Sequence, residues 1–243
     1  IRDPDHSLVG SEMCIRDSLS SPCSRTPVRV EGLGPVSAVA VGDGHTCALT
    51  TGGSVWCWGD NTWGQLTLPA SIKRQAKPRK IAGLEKVVGI AAGLRATCAW
   101  RVDGRAMCWG GNTAGQLGYV AKERCVGFDC SRSPQLGPGL EQVEQISIGF
   151  ARSCSRHTDG SVRCWGMPNP KSPKATEDCP GPLCNLQPTL IPDLPPASQL
   201  TVGGSVACAL TDQGLYCWGS NAAGELGSQL HGETRVPQLV RFD

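Results

Sequence analysis

The sequence predicts an all-β fold made of repeated four-stranded units, on three observations. A phrase with two cysteines recurs four times, each cysteine pair is centred on a glycine turn, and a proline-led strand opening recurs between the copies. The phrase reads His45-Thr46-Cys47-Ala48-Leu49-Thr50 with Val55-Trp56-Cys57-Trp58-Gly59, then Ala96-Thr97-Cys98-Ala99 with Met107-Cys108-Trp109-Gly110. The third copy is Arg152-Ser153-Cys154-Ser155 with Arg163-Cys164-Trp165-Gly166, and the fourth Val206-Ala207-Cys208-Ala209 with Tyr216-Cys217-Trp218-Gly219. Their first cysteines are spaced by 51, 56 and 54 residues. That period holds about four short strands with their turns, the size of one propeller blade. The expected architecture is a β-propeller of four-stranded blades.

Each unit parses in the same order. A proline-led strand comes first (Pro27-Val28-Arg29-Val30, Pro78-Arg79-Lys80-Ile81, Pro134-Gln135-Leu136, Pro188-Thr189-Leu190-Ile191). A strand of small residues ending in Gly42, Gly93, Gly149 or Gly203 follows, and the cysteine hairpin supplies two more. This reading divides a partial propeller over residues 21–243 into repeats at about 27–77, 78–133, 134–187 and 188–236. A fifth opening, Pro237-Gln238-Leu239-Val240, places the start of another blade in 237–243. Five openings for four hairpins predict an incomplete arc, about four blades plus the start of a fifth, cut from a larger ring. The small residues suit the crowded inner part of a blade. The Trp after each second cysteine is read as packing between blades. Residues 1–20 fit nothing in the repeat and lack the pattern of a signal peptide. Their stretch 7–18 resembles translated sequencing-adapter read-through, so 1–20 is read as a non-native leader.

Fourteen cysteines in 243 residues are too many for an ordinary cytosolic protein. Within a copy the partners are ten residues apart, or nine in the fourth, with turn material between them, which is a β-hairpin signal. Directly opposed residues of an antiparallel pair have Cα atoms ~4.5–5.5 Å apart, a distance a disulfide accepts. The expected pairs are Cys47 with Cys57, Cys98 with Cys108, Cys154 with Cys164, and Cys208 with Cys217. Closing such a loop is worth about 2.7 kcal/mol in the chain-entropy model, less where a hairpin already holds the ends. Buried free thiols and zinc are the alternatives; zinc is disfavoured by four His and no Cys-x-x-Cys. A second family, Cys125 with Cys130 and Cys179 with Cys184, would close six-residue mini-loops on excursions near 120–132 and 170–186. Cys23 parallels Cys130, but its partner's position holds Ser18, and Cys14 falls in the leader.

Several of these stretches share a further pattern. Val55 leads to Trp58-Gly59-Asp60-Asn61 and Gly64-Gln65-Leu66; Trp109-Gly110-Gly111-Asn112 leads to Gly115-Gln116-Leu117-Gly118; Trp218-Gly219-Ser220-Asn221 leads to Gly224-Glu225-Leu226-Gly227. This pattern resembles the regulator of chromosome condensation repeat family over about residues 26–243, in a cysteine-rich, secreted bacterial form. The third copy departs from it: Met167-Pro168-Asn169-Pro170-Lys171 follows Trp165-Gly166. The resemblance implies a seven-bladed ring as the parent of the arc.

Composition narrows the function. With 23 basic and 21 acidic residues there is no broad basic face for nucleic acid, and no apolar stretch long enough for membrane insertion as a helix. The dense basic run from Lys73 to Lys80 is read as a solvated loop. His45, His157 and His231 are scattered, with no recurring Ser-His-Asp arrangement, so neither an enzyme nor a cofactor or metal site is expected. The reading is a non-enzymatic extracytoplasmic scaffold (secreted, periplasmic or cell-surface) that binds a protein or glycan. Its candidate contacts are Lys73, Arg74, Lys77, Phe128, Lys171 and Lys174. The resemblance adds two alternatives, a guanine-nucleotide exchange factor for a small GTPase and a secreted hydrolase inhibitor. Photoreception by stacked Trp, known in a plant family member, is disfavoured: the matching stretches Asp43-Gly44, Leu94-Arg95, Phe150-Ala151 and Gly204-Ser205 contain no Trp.

Overall fold

The computed structural model describes residues 26–150, 152–166, 185–227 and 232–241. The segment 1–20, Cys14, Cys23, Lys171, Lys174, Cys179, Cys184 and His231 lie outside these described residues. Among them are seventeen strands and no helix, arranged as four antiparallel sheets. The first is β1 (Val36–Val41), β2 (His45–Thr50), β3 (Val55–Asp60) and β4 (Arg74–Lys80). The second comprises β5 (Val87–Ala92), β6 (Ala96–Arg101), β7 (Ala106–Gly111), β8 (Glu123–Cys125) and β9 (Phe128–Leu136), in the order β5-β6-β7-β9-β8. β10 (Val143–Ile148), β11 (Arg152–His157), β12 (Val162–Gly166) and β13 (Asn185–Leu190) make the third. β14 (Ala197–Val202), β15 (Val206–Thr211), β16 (Gly214–Ser220) and β17 (Glu233–Leu239) make the fourth.

The sheet order corrects the phase of the predicted repeat. The proline-led strand comes last in each blade, because it pairs with the hairpin before it: Trp56 stands opposite Lys80, and Tyr216 opposite Leu239. Residues 233–239 therefore complete the fourth sheet and do not open a fifth. Pro27–Val30 forms no strand. The physical reason is that Pro cannot donate to a ladder and is tolerated on an edge strand, where one side is unpaired. The basic run is corrected likewise. Arg74, Lys77, Arg79 and Lys80 belong to β4, an outer edge strand, where positive charge and Pro78 discourage pairing with another chain.

Apolar cores lie between consecutive sheets. One joins Leu49, Val55 and Leu66 of the first blade to Val87, Ile90 and Trp109 of the second. The next joins Leu117 and Ala96 to Val143, Ile146 and Trp165, and the third joins Val162 to Leu200, Ala209 and Trp218. Trp109, Trp165 and Trp218 are each at most 2% exposed, while Trp58 is only partly buried. The innermost strands approach so closely that a Cβ on Gly42 would lie 2.4 Å from the Gly93 carbonyl oxygen. On Gly93 it would lie 2.7 Å from that of Gly149, and on Gly149 1.9 Å from that of Gly203.

The cysteine hairpins face one another in register. Cys47 is opposite Cys57, Cys98 opposite Cys108, Cys154 opposite Cys164 and Cys208 opposite Cys217. Each pair is disulfide-bonded with Cα atoms 4.1 Å apart. In the fourth blade a shorter turn leaves Thr211 opposite Gly214, and the cysteines still meet. Cys125 and Cys130 form a fifth disulfide with Cα atoms 5.7 Å apart. It clamps a tight hairpin whose turn residues Val126 and Gly127 both have positive φ, as the commonest two-residue hairpin turn requires.

Candidate functional site: a cleft between the first two blades

The loops at one end of the sheets are built by the Asn and Gln of the repeat. The Asn61 side-chain carbonyl accepts from the Leu66 N–H (3.1 Å), and its amide donates to the Ile72 carbonyl (2.7 Å). The Gln65 side-chain carbonyl accepts from the Trp63 N–H (2.9 Å). Asn112 and Gln116 repeat these bonds to Leu117 and Ala114, and Asn221 and Glu225 to Leu226 and Ala223. In the last case the Ala223 N–H holds the exposed Glu225 carboxyl below its usual range. The Trp-Gly step has a separate cause. Gly59 has φ +106°, and a Cβ there would lie 2.4 Å from the Gly44 carbonyl oxygen, the same oxygen that accepts from Asp60 N–H at 2.7 Å.

These loops are a common frame, and the first carries side chains that the frame does not need. Trp63 stands where the second and fourth copies have Ala114 and Ala223, and Arg95 where other copies have Gly44, Ala151 and Ser205. The Arg95 guanidinium lies 4.2 Å from the Trp63 ring centroid, a cation–π contact. Phe128, at the disulfide-clamped hairpin, meets Trp63 with ring centroids 5.8 Å apart and stays 54% exposed. Gly64 lets this excursion approach: a Cβ there would lie 2.9 Å from the Arg132 side chain. Between the two blades is a cleft of about 170 Å³, lined by Asp43, Gly44, Asp60, Trp63, Gln65, Leu94 and Arg95. Asp60 is held from inside. Its Oδ1 accepts from the Thr62 backbone (3.1 Å) and hydroxyl (2.6 Å), and its Oδ2 from the Gln65 amide (3.0 Å).

Of the residues expected to make contacts, Phe128 borders this site through Trp63. Arg74 is opposite Asp60 in the ladder, so β4 starts at the same end of the blade, but Lys73, Arg74 and Lys77 do not line the cleft. Sequence reasoning missed Trp63 and Arg95 as site residues. The signal that finds them is a large side chain at a repeat position that is otherwise small.

The two described histidines have internal partners. His45 Nε2 is 2.7 Å from the Thr97 hydroxyl across the first junction, and burial holds its imidazole down to about 4 against the pull of Asp60. His157 Nδ1 donates to the Glu141 carbonyl (2.8 Å), so its Nε2 accepts from the Ser155 hydroxyl (2.9 Å). Burial, followed by the Arg163 charge, lowers its pKa. Ser155 is fully buried, so this Ser-His pair ties strands together and presents no hydroxyl to solvent. Among the described residues no cluster of His, Cys, Asp or Glu could hold a metal ion.

Two models of the regulator of chromosome condensation (RCC1) repeat match the chain, one at residues 36–65 and 87–116, the other at 52–100. These matches assign residues 36–116 to the regulator of chromosome condensation repeat. Among its relatives, protein pim1 of Schizosaccharomyces pombe is 30% identical over 85% of this chain and 41% of its own length. The secretion-regulating guanine nucleotide exchange factor of Bos taurus is 29% identical over 81% of this chain and 43% of its own. The crystal structure of Prp20p from Saccharomyces cerevisiae superposes with a TM-score of 0.73 at 23% identity, over 90% of this chain and 54% of that one. This chain thus spans less than half the length of either relative. The Prp20p likeness shows the shared propeller fold.

Proposed function

We propose that this chain is a non-enzymatic binding scaffold of an oxidising, extracytoplasmic compartment, holding a protein or glycan at the junction of its first two blades. The observation that carries the reading is the group of Trp63, Arg95 and Asp43 lining one cleft, with Phe128 against Trp63 beside it. None of them is needed by the loop frame, which the other copies build without them. Binding residues concentrate on loops positioned by a rigid scaffold, and exposed aromatics and Arg are the side chains that dominate contact energetics. Five disulfides among the described residues support the oxidising address.

Two measurements test the proposal. Alkylation without reductant, followed by intact mass, is expected to leave the ten described cysteines unmodified; full alkylation would remove the extracytoplasmic reading. Screening the secreted protein against glycan and cell-surface protein panels is expected to yield a ligand whose binding falls at least about tenfold in Phe128→Ala. The second reading is guanine-nucleotide exchange, the activity that the bovine relative's name states, acting here on a small GTPase. An acceleration of GTP-ase-bound nucleotide release by this chain would favour it over the scaffold.

A further inference from the structure

Resting on that binding-face reading, we infer that the cleft between the first two blades takes one neutral, hydroxyl-rich sugar ring. Size comes first. At about 170 Å³ the cleft lies below the ~300–1,000 Å³ of ordinary ligand pockets and holds the volume of about six waters. A dinucleotide or a drug-sized cofactor does not fit, whereas a single ring of a longer chain does, with the rest of that chain outside.

The lining then selects the ring's chemistry. Asp43 is exposed and makes no hydrogen bond or ion pair to another described residue, so both its oxygens are open acceptors. Asp60 already accepts three hydrogen bonds of the roughly four a carboxylate can take, leaving it one. The Arg95 guanidinium makes no hydrogen bond or ion pair to another described residue and lies over the Trp63 ring, 4.2 Å from its centroid. Its five N–H donors are therefore open to a partner. A ligand satisfying this set must donate to carboxylates and accept from a guanidinium within one small ring, which a vicinal diol does. Two carboxylates against one guanidinium disfavour a carboxylated or sulfated sugar, since like charges in a partly desolvated cleft repel. A lysine side chain would satisfy Asp43 but leave Arg95 facing a cation. Beside the cleft, Phe128 offers an exposed aromatic face for the apolar side of the next ring.

Affinity electrophoresis of the folded protein through gels containing neutral hexose polymers (dextran, mannan, galactan), polygalacturonate or dextran sulfate tests the proposal. At least one neutral polymer is expected to retard the wild type, and the matching free monosaccharide to release it. Asp43→Asn is expected to weaken retardation about tenfold, the loss of one charge-assisted hydrogen bond, with Trp63→Ala at least as severe. Should Trp63→Ala fail to fold, the exposed Asp43→Asn decides alone. Retardation only by the acidic polymers, by no polymer, or equally for wild type and Asp43→Asn overturns the sugar assignment. If no sugar binds but a protein ligand is lost in Phe128→Ala, the binding face stands and the sugar falls. If neither panel yields a ligand sensitive to Phe128→Ala, both fall.

Discussion

The junction between the second and third blades and the junction between the third and fourth use the same Trp in different surroundings. Trp165 Nε1 donates to the Gln116 carbonyl at 2.8 Å, as Trp109 Nε1 does to Gln65 at 2.7 Å one junction earlier. Each bond runs from the Trp of one blade to the Gly-Gln-Leu loop of the blade before. The third copy lacks that loop sequence, and Trp218 Nε1 is buried with no hydrogen-bond partner among the described residues. Other bonds cross that last junction instead. The Gln145 amide donates to the Leu200 carbonyl (2.8 Å) and its carbonyl accepts from the Leu200 N–H (3.0 Å), while Ser147 Oγ accepts from the Val202 N–H (2.9 Å). The first two blades have Ala38 and Gly89, then Ala40 and Ala91, at those register positions. Blades can thus be joined through the outer loop or through the inner strands, and a copy that loses one device carries the other.

Substitutions at the junctions sharpen this contrast, and the largest effect is steric. Gly149→Ala drives a methyl against the Gly203 carbonyl and is expected to cost about 3 kcal/mol or more. Gly203→Ala meets nothing nearer than 3.8 Å and should stay within about 0.5 kcal/mol; urea unfolding of both variants measures the difference. Acid comes next. The folded pKa of His45 is depressed to about 4, so its neutral form contributes fully above the unfolded value, ~6.5. That contribution is lost as pH falls through 6.5 toward 4, by roughly 3 kcal/mol. His157 shifts in the same direction. Unfolding midpoints from pH 7 to 4.5 should fall, and His45→Ala, which copies Ala96 of the second blade, should flatten much of that slope.

Breaking the inner-strand tie by Gln145→Ala strands the Leu200 N–H and carbonyl, and is expected to cost about 2 kcal/mol. An unchanged midpoint would mean that the third junction does not rely on it. Smaller again is the indole bond. Trp109→Phe leaves the Gln65 carbonyl without its donor and should cost about 1–2 kcal/mol more than Trp218→Phe, which deletes a donor that has no acceptor. Equal costs in the two variants would show that packing alone accounts for the conserved ring position within the repeat.

The hairpins, the cysteine register and the burial of Trp109, Trp165 and Trp218 were legible in the sequence because each depends on contacts between residues fewer than a dozen apart or repeated from copy to copy, whereas Trp58, read the same way, is only partly buried. The phase of the blade was not. A periodic chain has the same period wherever it is cut, and it takes the ladder pairing, such as Lys80 with Trp56, to show that the proline-led strand closes a blade. Phe128 stood out because two cysteines frame it. Trp63 was hidden inside a stretch that otherwise matches the repeat, and Arg95 lies in a turn whose residue differs in every copy. Their contact joins two blades, a long-range juxtaposition that no spacing within one copy encodes.

The disulfide across each hairpin has one more consequence. Thr51 and Gly52 sit exposed at the first turn, between cysteines that are already bonded to each other. A protease cutting there opens a small covalent ring and leaves the backbone on both sides attached. The same holds at the turns of the other three hairpins, so the molecule can be nicked at these turns and stay joined there until it meets a reductant.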